Sequence, residues 1–454
     1  RRAGIGRSAR AWGVSVTDAD QRLCVPALLL PSPLSAQRLV QLPDIEGARI
    51  KERTGDFLVE ELQLYDPCGE GEHLYLRIVK EGMTHHEMVD MLCKHFDVGT
   101  EAIGTAGMKD RVAVTSQTVS IHLPRKPEMR GITDERVQVL WSTWHSNKLR
   151  RGHLAGNRFS IRIRGIEPFR APPVWRALRE LEALGVPNHF GPQRFGMRNN
   201  NHILGALLLS SRHAEVLGEL ISTTGSPFPE SERAAREAVD AGRFAEAAGL
   251  WPRGLDAERT ATRALMRGTD ARTAVRAVPR PIQEIWTDAW QSAVFNCVLD
   301  QRILAGTFGT VEQGDVACKH GNGAKFIVSE EDCAVTGEDS LAARAARFEI
   351  SATGPLPGPD SLQSAGAVAE RERAAIVAFA GDPARFEETG RRPAGDRRPL
   401  RIKVANPEIE SGFDDHGPYV RVAFDLPPGA YATVVLREIL GDSFVDASRD
   451  ALRS

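Results

Sequence analysis

Strand-patterned runs lie at both ends of this chain, and a long helix-patterned block separates them. Near the start, residues 48–51 and 56–62 alternate around a turn at Thr54-Gly55. Residues 70–79 run from a Glu-Gly turn into a further strand, and 112–121 alternate again. Near the end, 400–404 and 419–426 return to the period of two, and 432–440 closes as a helix with Val435 and Ile439 one turn apart. Two more helices fall among the early strands. One spans 84–96 behind Thr84 as N-cap, with Met88, Met91 and Leu92 at helical spacing. The other spans 175–184 and is stopped by Gly185 and Pro187. Between the strand sets, 202–220, 230–276 and 283–303 carry helical periodicity, 314–317 and 325–328 are short strands, and 353–358 is a turn cluster. The pattern is α+β, with a mainly helical domain inserted into a strand-bearing one. The expected divisions are a weakly ordered, Arg- and Pro-punctuated extension over 1–37, the first part of the catalytic domain over 38–186, the insertion over 187–395, and the second part over 396–454.

With 454 residues and a net charge of −2, the chain can bury a large core in two or more domains. Its six cysteines include no Cys-x-x-Cys pair, which argues against zinc knuckles and a disulfide framework and fits a reducing cytoplasm. No apolar run reaches the roughly 18 residues of a membrane helix, so no membrane partner is expected. Among the histidines only His85 and His86 are adjacent, and neighbours on a helix point apart, so no metal site is expected.

Two segments carry chemistry. The turn at 105–117 holds Lys109 and Asp110 where a strand enters the sheet. It is not a Walker A loop, because Met108 and Asp110 flank the lysine where Gly and Ser/Thr would be required. Residues 145–164 hold Lys148, Arg150, Arg151, Arg158, Arg162 and Arg164 without one acid, the pattern of a surface that tracks a phosphate backbone. In the same segment Asn157 and Phe159 stand two apart on one strand face. An amide there can address a base edge and an aromatic can stack on the base.

The run Gly107-Met-Lys-Asp-Arg-Val-Ala-Val-Thr-Ser-Gln117 resembles the signature of the TruD family of tRNA pseudouridine synthases, Gly-x-Lys-Asp-x-x-Ala-x-Thr-x-Gln. Further similarities follow in order. They are Lys51 with Asp56, Phe57 and Val59; Glu70 to His73; Leu-x-x-Gly-x-Leu-x-Gly-Asn-x-Phe over 149–159; the aromatic loop over 185–196, with His189 where the family has Tyr; 290–296; 350–358; and the Leu-Pro-x-Gly-x-Tyr-Ala-Thr ending that contains Tyr431. The extra Ala/Arg-rich helices of the insertion resemble those of the longer archaeal and eukaryotic-like members.

The resemblance implies a mixed, largely antiparallel sheet flanked by helices, the pseudouridine synthase catalytic fold, carrying an inserted TRUD domain. It implies Asp110 as the catalytic residue, with uracil detached from C1′, turned, and rejoined through C5. Phe57, Asn157 and Tyr431 would line the uridine pocket, with Phe159 supporting or joining the stack and Arg194 in the substrate-binding set. Lys51 would be the cation beside Asp110, with Lys109 pointing elsewhere because adjacent side chains diverge. Lys148, Arg150, Arg151 and Arg158 would meet the RNA backbone. The implied substrate is uridine 13 of tRNA, in the D arm, handled by a monomer without a cofactor. The carboxylate has three routes open, as a nucleophile at C1′, a nucleophile at C6, or a base at C2′. A non-catalytic RNA-binding or RNA-folding module, a base-releasing glycosylase or nucleoside hydrolase, a purely structural scaffold and a synthase acting on another RNA position are the competing readings.

Overall fold

The computed structural model describes residues 28, 30–107, 109, 111–126, 131–380 and 393–450. Its contacts group the chain into two units, 38–188 with 401–454, and 1–37 with 189–400.

The strand expected over 400–404 is reduced to Arg401–Ile402, which pairs with Val186–Pro187 apart from the main sheet. The main strands of the first unit include those expected at 48–51, 56–62, 70–79, 112–121 and 419–426, and others at 103–105, 137–145, 405–414 and 445–446 that were not expected. They are β1 (Arg49–Ile50), β2 (Phe57–Gln63), β3 (His73–Glu81), β4 (Ile103–Thr105), β5 (Val114–His122), β6 (Val137–His145), β7 (Leu154–Arg164), β8 (Ala405–Asp414), β9 (Gly417–Leu426) and β10 (Val445–Asp446). They form one ten-stranded sheet in the order β8-β9-β7-β2-β5-β3-β6, with β1 and β10 joining beside β7, and β4 beside β5. Only β2 with β5 and β1 with β10 run parallel. The β2–β5 pair needs a crossover, and β3, the helix His85–Phe96 and β4 supply it. The fold is therefore α+β with a mixed, largely antiparallel sheet.

Burial follows the period of two. In β2 Phe57, Val59 and Glu61 are buried while Leu58 and Glu60 are exposed, which puts one carboxylate on the apolar face. That face packs with Ile161, Ile163, Val420, Val422 and the helices Ala171–Leu184 and Ala432–Leu440, through Leu178, Leu181, Val435 and Ile439. A second core sets Met88 and Leu92 of His85–Phe96 against Leu76, Ile78, Val119 and Ile121. That helix starts with the expected Thr84 cap, here a full capping box with Glu87. In β7, Gly156 is dictated by close approach, because a Cβ there would lie 2.4 Å from the Leu426 carbonyl oxygen.

The second unit is mainly helical. Its axis is Arg280–Leu304, 25 residues long, with Trp290 fully buried and its indole N–H donated to the Phe379 carbonyl at 3.0 Å. Asn201–Leu209 crosses it closely, since a Cβ on Gly205 would lie 2.2 Å from the Trp286 carbonyl oxygen. The continuous helix expected over 202–220 is instead broken, with Ser211 in the left-handed region at φ 55° before His213–Ile221 begins. A four-stranded antiparallel sheet joins Lys325–Ile327, Val316–Lys319, Ile350–Leu356 and Asp396–Pro399. The turn cluster expected over 353–358 is thus largely strand. Gly354 is there to clear the Phe295 ring, 2.8 Å from where its Cβ would be, and Pro355 pairs in register with Arg397.

Residues 30–37, expected within a weakly ordered extension, lie along this helical unit. Asn296 Nδ2 donates to the Pro33 carbonyl at 2.9 Å, and Ser35 donates to Asp300. No helix among the described residues is long and apolar enough to cross a membrane.

Candidate active site

Asp110, the expected catalytic residue, lies outside the described residues, as does Met108. Lys109 between them is described. Its side chain is 5 % exposed, its ammonium donates to Asn157 Oδ1, and it pairs with Glu61 Oε2 at 3.5 Å. Sheet register explains the meeting, because Glu61 of β2 and Asn157 of β7 stand directly opposite each other. Two buried polar side chains thus converge on the Lys109 ammonium, where burying the charge unpaired would be costly.

Glu61 was not singled out from the sequence. The Thr118 backbone N–H donates to its Oε1 at 3.2 Å, and burial pushes its carboxyl above the ordinary range, against the pull of Lys109, that N–H and Arg77. Arg77, also unforeseen, is buried and donates to the Glu61 carbonyl at 2.8 Å and to Glu60 Oε1 at 3.1 Å. The available signal was the alternation in β2, which puts Glu61 on the face of Phe57 and Val59.

The aromatic residues separate by exposure. Phe57 is 3 % and Phe159 8 % exposed; their rings meet edge to face at 6.3 Å, and Phe159 also contacts Phe424 at 5.9 Å, all within the apolar core. The Lys51 ammonium lies 4.4 Å from the centre of the Phe57 ring. Lys51 itself adopts a left-handed backbone, φ 58°, which a non-glycine residue holds only against strain. Tyr431 is 58 % exposed at the start of Ala432–Leu440. The turn that carries it leaves β9 just after Leu426, the register partner of Asn157.

The basic stripe is acid-free in sequence but not in space. Arg158 pairs with Asp425 at 2.8 Å and Glu408 at 2.6 Å, Arg162 with Asp414 at 3.6 Å, and Arg164 with Asp56 and Asp414, each at 2.6 Å. The acids come from β8, β9 and the segment before β2, remote in sequence, which is why the local run concealed them. Arg150 and Arg151, in the turn between β6 and β7, remain exposed, and Lys148 donates to the Glu101 carbonyl. In the helical unit, Arg194 pairs with Asp288 at 3.6 Å and lies over the Phe190 ring at 5.2 Å. His189, standing where the resembled loop has Tyr, meets Asp300 at 2.9 Å. Among the described residues no three His, Cys, Asp or Glu side chains converge as metal ligands would.

A ten-stranded mixed sheet, interrupted in sequence by a helical insertion, is the fold of a pseudouridine synthase. A solved structure with this fold, the putative tRNA pseudouridine synthase D from Methanosarcina mazei, aligns at a TM-score of 0.77. The match covers 93 % of this chain and 100 % of that one at 24 % identity. The sequence profile of tRNA pseudouridine synthase D (TruD) matches residues 37–439. The tRNA pseudouridine synthase D of Geobacter metallireducens is 38 % identical over 396 residues, 87 % of this chain and 95 % of its own. That of Geobacter sulfurreducens is 39 % identical over the same length, 87 % of this chain and 94 % of its own. The chain belongs to the tRNA pseudouridine synthase D family. It is accordingly an isomerase of the pseudouridine synthase class.

Proposed function

We propose that this chain converts uridine 13 of tRNA, in the D arm, to pseudouridine with the Asp110 carboxylate, acting as a monomer in the cytoplasm. The C1′–N1 bond breaks, the base turns, and the C1′–C5 bond forms. The proton lost from C5 is balanced by one gained at N1, so no electrons are exchanged with a partner. Asp110 serves as nucleophile at C1′ or C6, or as base at C2′. The observation that carries the reading is the anchoring of Lys109, Asp110's neighbour in the chain, by Asn157 and Glu61. It ties the signature turn to the amide assigned to the base.

The exposures divide the remaining roles. Tyr431 has an open ring and is the stacking platform for the extruded uracil, while Phe57, with Phe159 behind it, is the buried wall. Lys51 supplies positive charge beside that wall, and Arg194, paired with Asp288, belongs to the substrate-binding set. Lys148, Arg150 and Arg151 follow the RNA backbone, and Arg158 contributes less because two carboxylates already hold it.

Replacing Arg150 and Arg151 together by Gln is therefore expected to weaken tRNA binding by roughly tenfold at low salt. The slope of log K against log[salt] should flatten by between one and two. Arg158→Gln should move the slope less. Filter-binding titrations over a salt series measure both, and an unchanged slope in the double variant would remove this turn from the interface. Asp110→Asn, which should bind tRNA but form no pseudouridine, tests the reading itself.

A further inference from the structure

Asn157 has its amide orientation chosen for it. An ammonium has donors only, so the atom of Asn157 facing Lys109 must be the carbonyl oxygen. The Lys109 ammonium is in turn held by the buried carboxylate of Glu61, itself fixed by the Thr118 N–H. The other end of the amide, Nδ2, is then a donor, and among the described residues it meets no acceptor. Taking the chain as a uridine isomerase, we infer that this locked Nδ2 donates to a uracil carbonyl both before and after the base turns.

The reason lies in uracil's own near symmetry. A half-turn about the N3–C6 axis exchanges N1 with C5, which the isomerisation requires, and exchanges the C2 carbonyl with the C4 carbonyl. A fixed donor beside one carbonyl position therefore meets an oxygen in the substrate and an oxygen in the product, and need not move between them. An amide turned the other way would set oxygen against oxygen in both states. Cytosine has an amino group at C4, so in one of its two orientations the locked donor would face a donor. The same contact that tolerates the turn thus selects uracil over cytosine, because a polar group left unpaired in a closed site is penalised more than a merely missing contact. Lys109 and Glu61 are positioning residues here, acting through Asn157.

The test uses the full chain and tRNA carrying uridine, 2-thiouridine or 4-thiouridine at the reacting position, sulfur being the poorer acceptor. Single-turnover pseudouridine formation and RNA affinity are measured for the parent, Asn157→Ala, Asn157→Asp and Glu61→Gln. Each sulfur is expected to slow the parent by about fivefold or more, and neither to slow Asn157→Ala beyond its own lower rate. Asn157→Asp should lose about a hundredfold in rate, with affinity changed by less than about threefold. Glu61→Gln keeps the shape of the cluster and should fold even if the Asn157 variants do not. It should shrink the sulfur effects, which a purely structural role would leave alone. Sulfur effects of equal size in the parent and in Asn157→Ala, or in Glu61→Gln where that variant alone folds, would overturn this inference while the synthase reading stands. A parent that forms no pseudouridine from any of the three RNAs would overturn both.

Discussion

Asp110→Asn is expected to abolish pseudouridine formation, by about 10⁴-fold or more, while tRNA affinity stays within about threefold of the parent. The amide keeps the shape and hydrogen-bonding capacity of the side chain but loses the negative charge and most of the nucleophilicity, and each of the three routes open to Asp110 needs one or the other. Binding should survive because phosphate contacts are assigned to Lys148, Arg150 and Arg151, and the Lys109 anchor on Glu61 and Asn157 is untouched. Tritium release from 5-labelled uridine in tRNA measures turnover, and filter binding on the same preparation measures affinity. Product from a well-folded variant at more than about 1 % of the parental rate would contradict the assignment.

The largest loss of stability is expected at Arg164. Its side chain is 3 % exposed, and it is held by Asp56, itself 2 % exposed, and by the half-buried Asp414. Arg164→Met leaves the Asp56 carboxylate buried without this partner, which costs about 3–5 kcal/mol, on the order of a 10 °C fall in Tm for a unit of this size. Asp414 adds a pH dependence. Hydrogen bonds from Arg164 hold its carboxyl well below the usual carboxylate range. Its contribution is therefore present above the unfolded value of about 3.9 and lost as pH falls toward the lower folded one. The stability of the parent should decline through this acid window, and Arg164→Met should decline less steeply there. Thermal melts at neutral pH and at about pH 2 to 4 measure both effects. Equal melting at neutral pH would show that the pair is not holding the sheet.

Much of the fold was legible because its signals are local. The alternation in 56–62 and 419–426, the Thr84 cap and the apolar stripe of 432–440 each depend on a few neighbouring residues, and each element formed where the pattern put it. Failures came where distant partners decide. Nothing near Arg158 or Arg164 announces Glu408, Asp414 or Asp425, which arrive through the β8–β9 and β9–β7 pairings, so a basic stripe became a row of cross-strand ion pairs. Nothing near Lys109 announces its partners either, because the buried Glu61–Asn157 pair that holds its ammonium exists only once β2 and β7 are in register. Thr353-Gly-Pro-Leu has turn composition, yet its glycine answers the Phe295 ring and not a turn. At the site, the motif residues named the chemistry, while exposure, which no motif encodes, separated the open ring of Tyr431 from the buried rings of Phe57 and Phe159.

The most direct measurement is to incubate the purified chain with an unmodified tRNA transcript and map every uridine of the product at single-nucleotide resolution, with free base assayed in the same reaction. Pseudouridine at position 13, no free uracil and an unbroken RNA chain are the expected result. Free uracil, or a transcript left unchanged by a folded and tRNA-binding protein, would contradict the isomerase assignment, and pseudouridine confined to another position would contradict the choice of uridine 13.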